Sequence, residues 1–448
     1  MLIAMTRIEE KAVPMSRPLF RALVALQLSL VAVLGLTVGA APAEASPART
    51  PIVLFPAFHF TRLLVKWRDQ QVDSSCPVSG SFEDWYSNPV PNKAVSQVCR
   101  DKLMTLRYGG DPKLPMPDRF SNQHGVTVTI REYGRTSSAP MYEQMYATLE
   151  QAGWKRDKSI RVAGYDSRLT PDMGGFLART QKLIEQTYAA NGNRPVHLVG
   201  HSNGPLYAQY LLTHSSEGWK RKYIQGFTPI AGNFPGQGAL YGYLFTGLNI
   251  TAFTLPSTKE NAESSARMYI SAPSTYMSSA TPSTFGAGEV VIADASTGKQ
   301  YTPADYHAIV TAPGMPPEAA DIAEYYIGFV RFDDGNPSSI RPSSTNLPNV
   351  DVYAEKGSGI PTVVGVTLQD LTIGQVYDPA LPTFTRDGDV NQEDITNNAI
   401  QVWSAMPCHH FSLTDNPGVD HFSLPFDPAV LGRLKVNAQK APTICPVN

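Results

Sequence analysis

Residues 195–210 read Pro195-Val196-His197-Leu198-Val199-Gly200-His201-Ser202-Asn203-Gly204-Pro205-Leu206-Tyr207-Ala208-Gln209-Tyr210. A strand-length apolar run, Val196, Leu198 and Val199, meets Gly200, Ser202 and Gly204, then passes into helical spacing at Leu206, Tyr207, Tyr210 and Leu211. This is the pattern of a nucleophile elbow. A serine hydroxyl is a weak nucleophile, so it must stand on a sharp strand-to-helix turn where a base reaches it and the helix N-terminus faces a developing oxyanion. The flanking glycines permit such a turn, because a Cβ there presses on the neighbouring strand or helix. An ordinary glycine-rich turn with a serine cap shares the bare spacing; the strand before it and the helix after it favour the elbow.

The chain around this stretch has 448 residues, enough for one large α/β domain with insertions or for two domains. A formal net charge of −2 with 17% charged residues leaves no basic field for nucleic acid. The 37 prolines and 34 glycines are set in a chain that is 42% apolar, which fits a loop-rich globular protein rather than a disordered one. At the N-terminus Arg17 and Arg21 precede an apolar run over residues 22–41, and Ala43-Glu44-Ala45 supplies small residues for a signal peptidase. Residues 1–45 are therefore expected to be a signal peptide, with the mature chain starting near Ser46 and residing on the exported side of a membrane. The run is close to bilayer length, so an uncleaved anchor is the alternative. The four cysteines fall into two local groups, and in an exported chain the local pairs Cys76–Cys99 and Cys408–Cys445 are expected among the three pairings possible. No C-x-x-C occurs and no metal site is expected. Asn249-Ile250-Thr251 is a glycosylation sequon.

Upstream of the elbow, residues 51–55 form a short apolar strand, and the loop after it, Pro56-Ala57-Phe58-His59-Phe60, is the candidate for one oxyanion N–H. Residues 126–133 alternate as a half-buried strand should, residues 141–152 have helical spacing, residues 161–166 read as a strand with a polar end, and residues 176–189 as an amphipathic helix. Residues 223–230 continue as the next strand. Strand and helix in alternation predict a doubly wound α/β fold with a mostly parallel sheet and helices on both faces. Residues 231–340 dissolve into Gly, Ser, Thr and Pro with short apolar pieces, read as an inserted cap between core segments 46–230 and 341–448, or as a loop-rich edge. Returning strands are expected near 351–353 and 410–413, and a last helix over 427–438 with Asp427 as cap and Pro428 at its first position.

In this fold the triad order is Ser, acid, His. His421 lies in the turn between the last strand and the final helix, where a base can swing over Ser202; His409 and His410 lie in or beside the strand. The acid must follow an earlier strand, which leaves Asp387 and Asp389 of Arg386-Asp387-Gly388-Asp389-Val390 in competition. A calcium reading of this turn lacks the other ligands of an EF-hand.

With these residues placed, the chain resembles the lecithin:cholesterol acyltransferase family over nearly the whole expected mature chain. The resemblance is carried by Gly200-His201-Ser202-Asn203-Gly204 with Tyr207, by Trp219-Lys220 before Tyr223-Ile224, by Gly164-Tyr165-Asp166-Ser167-Arg168-Leu169, and by Cys76 and Cys99 with Trp85 between them. It implies an α/β-hydrolase in which Ser202 is the nucleophile, Asp389 the acid and His421 the base, with the backbone N–H groups of Phe58 and Asn203 as oxyanion donors. It also implies a disulfide-closed lid over residues 76–99 that brings Phe82 and Trp85 to lipid. Departures from the family pattern are Ala57 and Phe60 where glycines are usual, Ser167 in place of Trp, Asn203 where Leu or Met is usual, a shortened turn around Asp389, and Ala354 where a second disulfide would begin.

The activity implied is transfer of an acyl group from a phospholipid, through acyl-Ser202, to water or to a sterol or fatty alcohol, at a phospholipid membrane or lipoprotein surface. No cofactor and no nucleic acid are implied. The protein is expected to be secreted or to reside in the lumen of the exocytic or lysosomal pathway. A neutral-lipid lipase, a carboxylesterase, and a non-catalytic lipid-binding protein on a hydrolase scaffold are the alternatives.

Overall fold

All four residues of Ile52–Phe55 are buried, and so is every residue of Val196–His201 and Ile224–Ile230. Strands with no wet face need cover on both sides, which crossover helices on a parallel sheet supply. The computed structural model of the protein describes residues 49–446 apart from 70, 71, 73, 75, 87–94, 235, 249–253, 286, 287, 328–340, 393 and 395–397. The expected signal segment and the sequon at Asn249 lie outside the described residues. Everything below belongs to the compact unit Pro47–Asn448.

Among the described residues, the six strands of the main sheet run in the order Phe411–Pro417, Val352–Ser358, Ile224–Ile230, Val196–His201, Ile52–Phe55, Ile160–Val162, and every neighbouring pair is parallel. Alternate residues serve opposite faces. Val53, Phe55, Val196 and Leu198 share one core with Leu183 and Ile184 of the helix Phe176–Ala190 and with Leu206, Tyr207 and Leu211 of the helix Gly204–Thr213. Ile52, Leu54 and Val199 belong to the other, with Leu149 of Glu143–Gln151 and Val430, Leu431 and Leu434 of Pro428–Asn437. That last helix is capped by Asp427, whose carboxylate accepts the N–H groups of Ala429 and Val430.

In chain order the sheet starts at Ile52–Phe55, steps to Ile160–Val162 on one side, crosses back to Val196–His201 on the other, and then grows outward. The winding direction reverses between Ile52–Phe55 and Val196–His201, and such a switch point opens a crevice beyond the carboxyl ends of the strands. Residues 56–60 and the turn at Ser202 leave the sheet there.

Two expectations differ from the structure. Val126–Ile130 is a strand, but it pairs antiparallel with Leu63–Trp67, which pairs antiparallel with Gly80–Asp84, in a separate sheet. Its alternating burial is the mark of a sheet with one wet face, which a sheet covered on both sides does not leave. Residues 231–340 are not loop-like: their described part holds the helices Leu240–Thr246, Lys259–Ser271, Pro273–Ser278, Tyr306–Val310 and Glu318–Tyr326. Lys259–Ser271 buries Ala262, Ser264, Ser265, Ala266, Met268, Tyr269 and Ile270, so only small and polar residues mark its packed face until the large apolar ones of the last turn. The strand Ile292–Asp294 pairs with Ile360–Leu368, so this region shares a four-stranded sheet with the C-terminal part of the chain.

Two disulfides are formed, Cys76–Cys99 and Cys408–Cys445. The second ties the C-terminal tail to the loop before the strand Phe411–Pro417.

Candidate active site

The elbow is tight for a visible reason. A Cβ on Gly200 would lie 2.8 Å from the Pro205 nitrogen, and one on Gly204 would overlap the carbonyl oxygen of Phe55. Ser202 between them takes a left-handed backbone, φ 61°. That conformation costs a non-glycine residue about 1–3 kcal/mol and persists only where neighbours over-determine it. Here the Ser202 N–H donates to the Ile230 carbonyl at 2.9 Å, and the Ser202 carbonyl accepts the Asn233 N–H at 2.9 Å.

Past the strand Phe411–Pro417, the turn carrying His421 folds over the crevice. The His421 backbone N–H donates to the Asp389 carbonyl at 2.7 Å, and its Nδ1 lies 3.2 Å from Asp389 Oδ2. Both residues are buried. A left-handed residue at Val390, φ 85°, turns the chain so that the N–H groups of Asn391 and Gln392 reach Asp389 Oδ1 at 3.1 and 2.8 Å. Burial pushes the Asp389 carboxyl upward, but the facing His421 and these donors outweigh it and hold the group below the usual carboxylate range. Asp387 is exposed on Thr383–Gly388, and its carboxylate accepts the Gly359 N–H at 3.3 Å. The structure thus brings Asp389, and not Asp387, to the histidine. His409 and His410 lie elsewhere: His409 Nε2 is 3.1 Å from Cys445 Sγ, and the His410 ring packs 5.0 Å from Tyr353.

Ser202 and His421 line one cavity of about 130 Å³, together with Phe58, Asn203, Asn391 and Phe422. With Nδ1–H donated to Asp389, the lone pair of His421 Nε2 faces the Asn391 side-chain amide at 3.2 Å. Among the described residues no hydrogen bond joins Ser202 Oγ to the ring. Asn391 was not singled out from the sequence, where nothing distinguishes it from any other turn asparagine. The backbone N–H groups of Phe58 and Asn203 donate to no acceptor among the described residues, and both residues border the cavity. The side chain of Asn203 accepts from Ser278 Oγ at 3.0 Å and Asn233 Nδ2 at 3.4 Å, while its own amide nitrogen is buried without a partner among the described residues.

The loop 56–60 departs from the glycine pattern, and a buried polar cluster braces it. His59 takes φ 62°, with Nδ1 3.2 Å from Ser167 Oγ and Nε2 3.3 Å from Asp84 Oδ2. Burial lowers the His59 pKa to about 4 against the opposing pull of Asp84. Asp84 accepts two hydrogen bonds from Arg100, whose third nitrogen reaches Asp101 at 2.6 Å. Ser167, which stands in place of a tryptophan, is therefore a partner of this loop.

Asp84 belongs to the segment closed by Cys76–Cys99 and Arg100 follows Cys99 directly, so the bridged segment supports the loop through Asp84. This corrects the expectation for Phe82. Its side chain is only 4% exposed and packs 5.9 Å from the Trp67 ring, in a core with Leu63 and Val65. It is on the inner face of Gly80–Asp84 and cannot reach lipid. Trp85 is half-buried.

Among the described residues no group of three or more His, Cys, Asp or Glu is placed to hold a metal ion, and no helix is long and apolar enough to cross a membrane. What the cavity offers is a serine hydroxyl, an oriented imidazole and two backbone donors, the parts needed for acyl transfer through a serine ester.

The family model for lecithin:cholesterol acyltransferase matches residues 126–308. The lysosomal phospholipase A and acyltransferase of Rattus norvegicus is 27% identical over 325 residues, covering 69% of this chain and 72% of that protein. The phosphatidylcholine-sterol acyltransferase of the same organism is 23% identical over 346 residues, covering 72% of each. Among solved structures, a chain of the Tle4–Tli4 complex superposes with a TM-score of 0.49 at 12% identity, over 88% of this chain and 99% of that one. With the elbow, the parallel sheet and these relatives in hand, the chain is similar to the lecithin:cholesterol acyltransferase family, whose model it matches over residues 126–308.

Proposed function

We propose that the protein is a serine-dependent phospholipid acyl hydrolase and O-acyltransferase. The observation that carries this reading is the single cavity onto which Ser202, the Asp389-bound His421 and the free N–H groups of Phe58 and Asn203 converge. His421 Nε2 takes the Ser202 proton as Oγ attacks the ester carbonyl, and Asp389 holds the proton on Nδ1 so that the lone pair is available. The two N–H groups receive the charge that develops on the carbonyl oxygen. His421 then returns the proton to the leaving lysolipid oxygen, and the acyl group passes from Ser202 to water or to a lipid alcohol. Binding of substrate displaces the Asn391 amide from Nε2, which the serine needs.

The acyl donor follows from the relatives, whose names are those of a phospholipase A and acyltransferase and of a phosphatidylcholine-sterol acyltransferase. We further propose that residues 1–45 direct export and that Trp85 meets the lipid surface. The test is Ser202→Ala, assayed with mixed phospholipid vesicles with and without a fatty alcohol or sterol, and with a serine-directed fluorophosphonate. Loss of acyl release and of labelling together in a folded variant is expected. Full activity of a folded Ser202→Ala protein would sink this reading, and labelling without phospholipid turnover would shift it to a carboxylesterase.

A further inference from the structure

One hydrogen-bonded chain links the three parts of the site, and it runs through residues without an assigned role. The backbone N–H of Ala57 donates to the Tyr142 hydroxyl oxygen at 2.8 Å. That hydroxyl has one proton to give, and it points to His201 Nδ1 at 2.9 Å. His201 Nε2 lies 2.9 Å from the backbone carbonyl of His421, which can only accept, so the His201 proton sits on Nε2 and Nδ1 is left to accept from Tyr142. One tautomer satisfies every link. Tyr142, His201 and His421 are all buried to within 1% of full coverage. Burial lowers the His201 pKa to about 3, in keeping with a neutral ring.

Each end of the chain is next to a reacting group. His201 precedes Ser202, Ala57 precedes Phe58, and His421 is the base itself. The backbone of His421 is thus held on both sides, by the Asp389 carbonyl at its N–H and by His201 at its carbonyl. We propose that Tyr142 and His201 are positioning residues which set the spacing between nucleophile, base and oxyanion loop. This rests on the proposed acyl-transfer function. Tyr142 comes from the short turn Pro140–Tyr142, remote in sequence from the loops it joins. A hydroxyl there does more than fill the core, because a phenylalanine fills the same space and leaves the Ala57 N–H and His201 Nδ1 without partners.

The test uses the whole chain with Tyr142→Phe, His201→Leu, His201→Gln and the Tyr142→Phe/His201→Leu double variant, each checked for folding by circular dichroism and melting temperature. Turnover of a soluble short-chain ester and the rate of fluorophosphonate labelling are measured well below the melting transition. Misplacing a catalytic group by about 1 Å costs on the order of 10²-fold, so Tyr142→Phe is expected to lower kcat and labelling rate by about 10–100-fold, with KM changed less than about threefold. Because both residues serve one chain, the double variant should be no slower than His201→Leu. His201→Gln, which keeps a donor for the His421 carbonyl, should be faster than His201→Leu. A folded Tyr142→Phe protein with parental kcat and only a lower melting temperature would show that the chain is structural alone and overturn the proposal, as would additive losses or a Gln variant no better than Leu. Ser202→Ala in parallel separates the cases: activity surviving there removes the acyl-serine reading itself, whereas its loss beside a fully active Tyr142→Phe removes only the positioning role.

Discussion

Replacing Asp389 by Asn tests the acid with the shape of the site unchanged. In the parent, Asp389 Oδ1 accepts two backbone N–H groups, from Asn391 at 3.1 Å and Gln392 at 2.8 Å, and Oδ2 faces His421 Nδ1 at 3.2 Å. An asparagine amide must keep its oxygen on the two backbone donors, because nothing else satisfies them in this buried turn. Its NH₂ group then points at His421 Nδ1 and demands a lone pair there, so the ring proton moves to Nε2. In that tautomer Nε2 donates instead of accepting and cannot take the Ser202 proton. The loss expected for the wrong tautomer in a serine triad is about 10⁴-fold in kcat, or about 5.5 kcal/mol at 1.36 kcal/mol per decade. Stability should fall by only about 1–3 kcal/mol, the cost of weakened hydrogen bonds to a buried group. The assay is single-turnover release from a soluble ester together with fluorophosphonate labelling, on proteins matched for folding. Asp387→Asn is the control: its exposed carboxylate holds only the Gly359 N–H, and turnover should stay within about threefold of the parent. A folded Asp389→Asn protein within tenfold of the parent, or an Asp387→Asn protein equally damaged, would refute the assignment.

Further expectations concern stability. Burial holds three histidines neutral in the fold, His59 and His197 at about 4 and His201 at about 3, against 6.5 for the unfolded chain. Between pH 6.5 and those values the unfolded chain binds protons that the fold refuses, so their contribution is complete above 6.5 and is lost on acidification. The loss is about 2 kcal/mol for each at pH 5. Asp101, pushed up to about 6 by burial, works in the opposite direction and offsets about 1.4 kcal/mol. The melting temperature should therefore fall steadily from pH 7 to pH 5, and a flat or rising profile would count against neutral buried histidines. Cys76 and Cys99 are 23 residues apart, and opening that loop with Cys76→Ser/Cys99→Ser should cost about 3 kcal/mol of chain entropy. Since the segment also holds Asp84 against His59 of the loop 56–60 and Arg100 follows Cys99 directly, labelling of Ser202 should slow as well; unchanged melting and labelling would show that the bridge supports nothing at the site.

The main sheet was legible because its central strands are short, largely apolar and separated by amphipathic helices, a pattern that burial on both faces imposes on local sequence. The same holds for the elbow, where steric exclusion at Gly200 and Gly204 leaves a mark on the residues themselves, and for the last helix, whose Asp427-Pro428 start is local chemistry. The helix Lys259–Ser271 was not legible, since the first half of its packed face is Ala and Ser and its large apolar residues, Met268, Tyr269 and Ile270, are crowded into the last turn. Nor could the chain order say which way Phe82 points: its strand has polar neighbours on either side, and only pairing with Leu63–Trp67 turns the ring inward against Trp67. Asp387 and Asp389 are equivalent as text. They differ in space because the left-handed turn at Val390 folds two N–H groups back onto one carboxylate and buries it against His421, while the other stays in solvent. The links from Ala57 through Tyr142 and His201 to His421 join positions up to 220 apart in sequence, and hydrogen bonds between such distant groups are decided by which strands the sheet sets side by side.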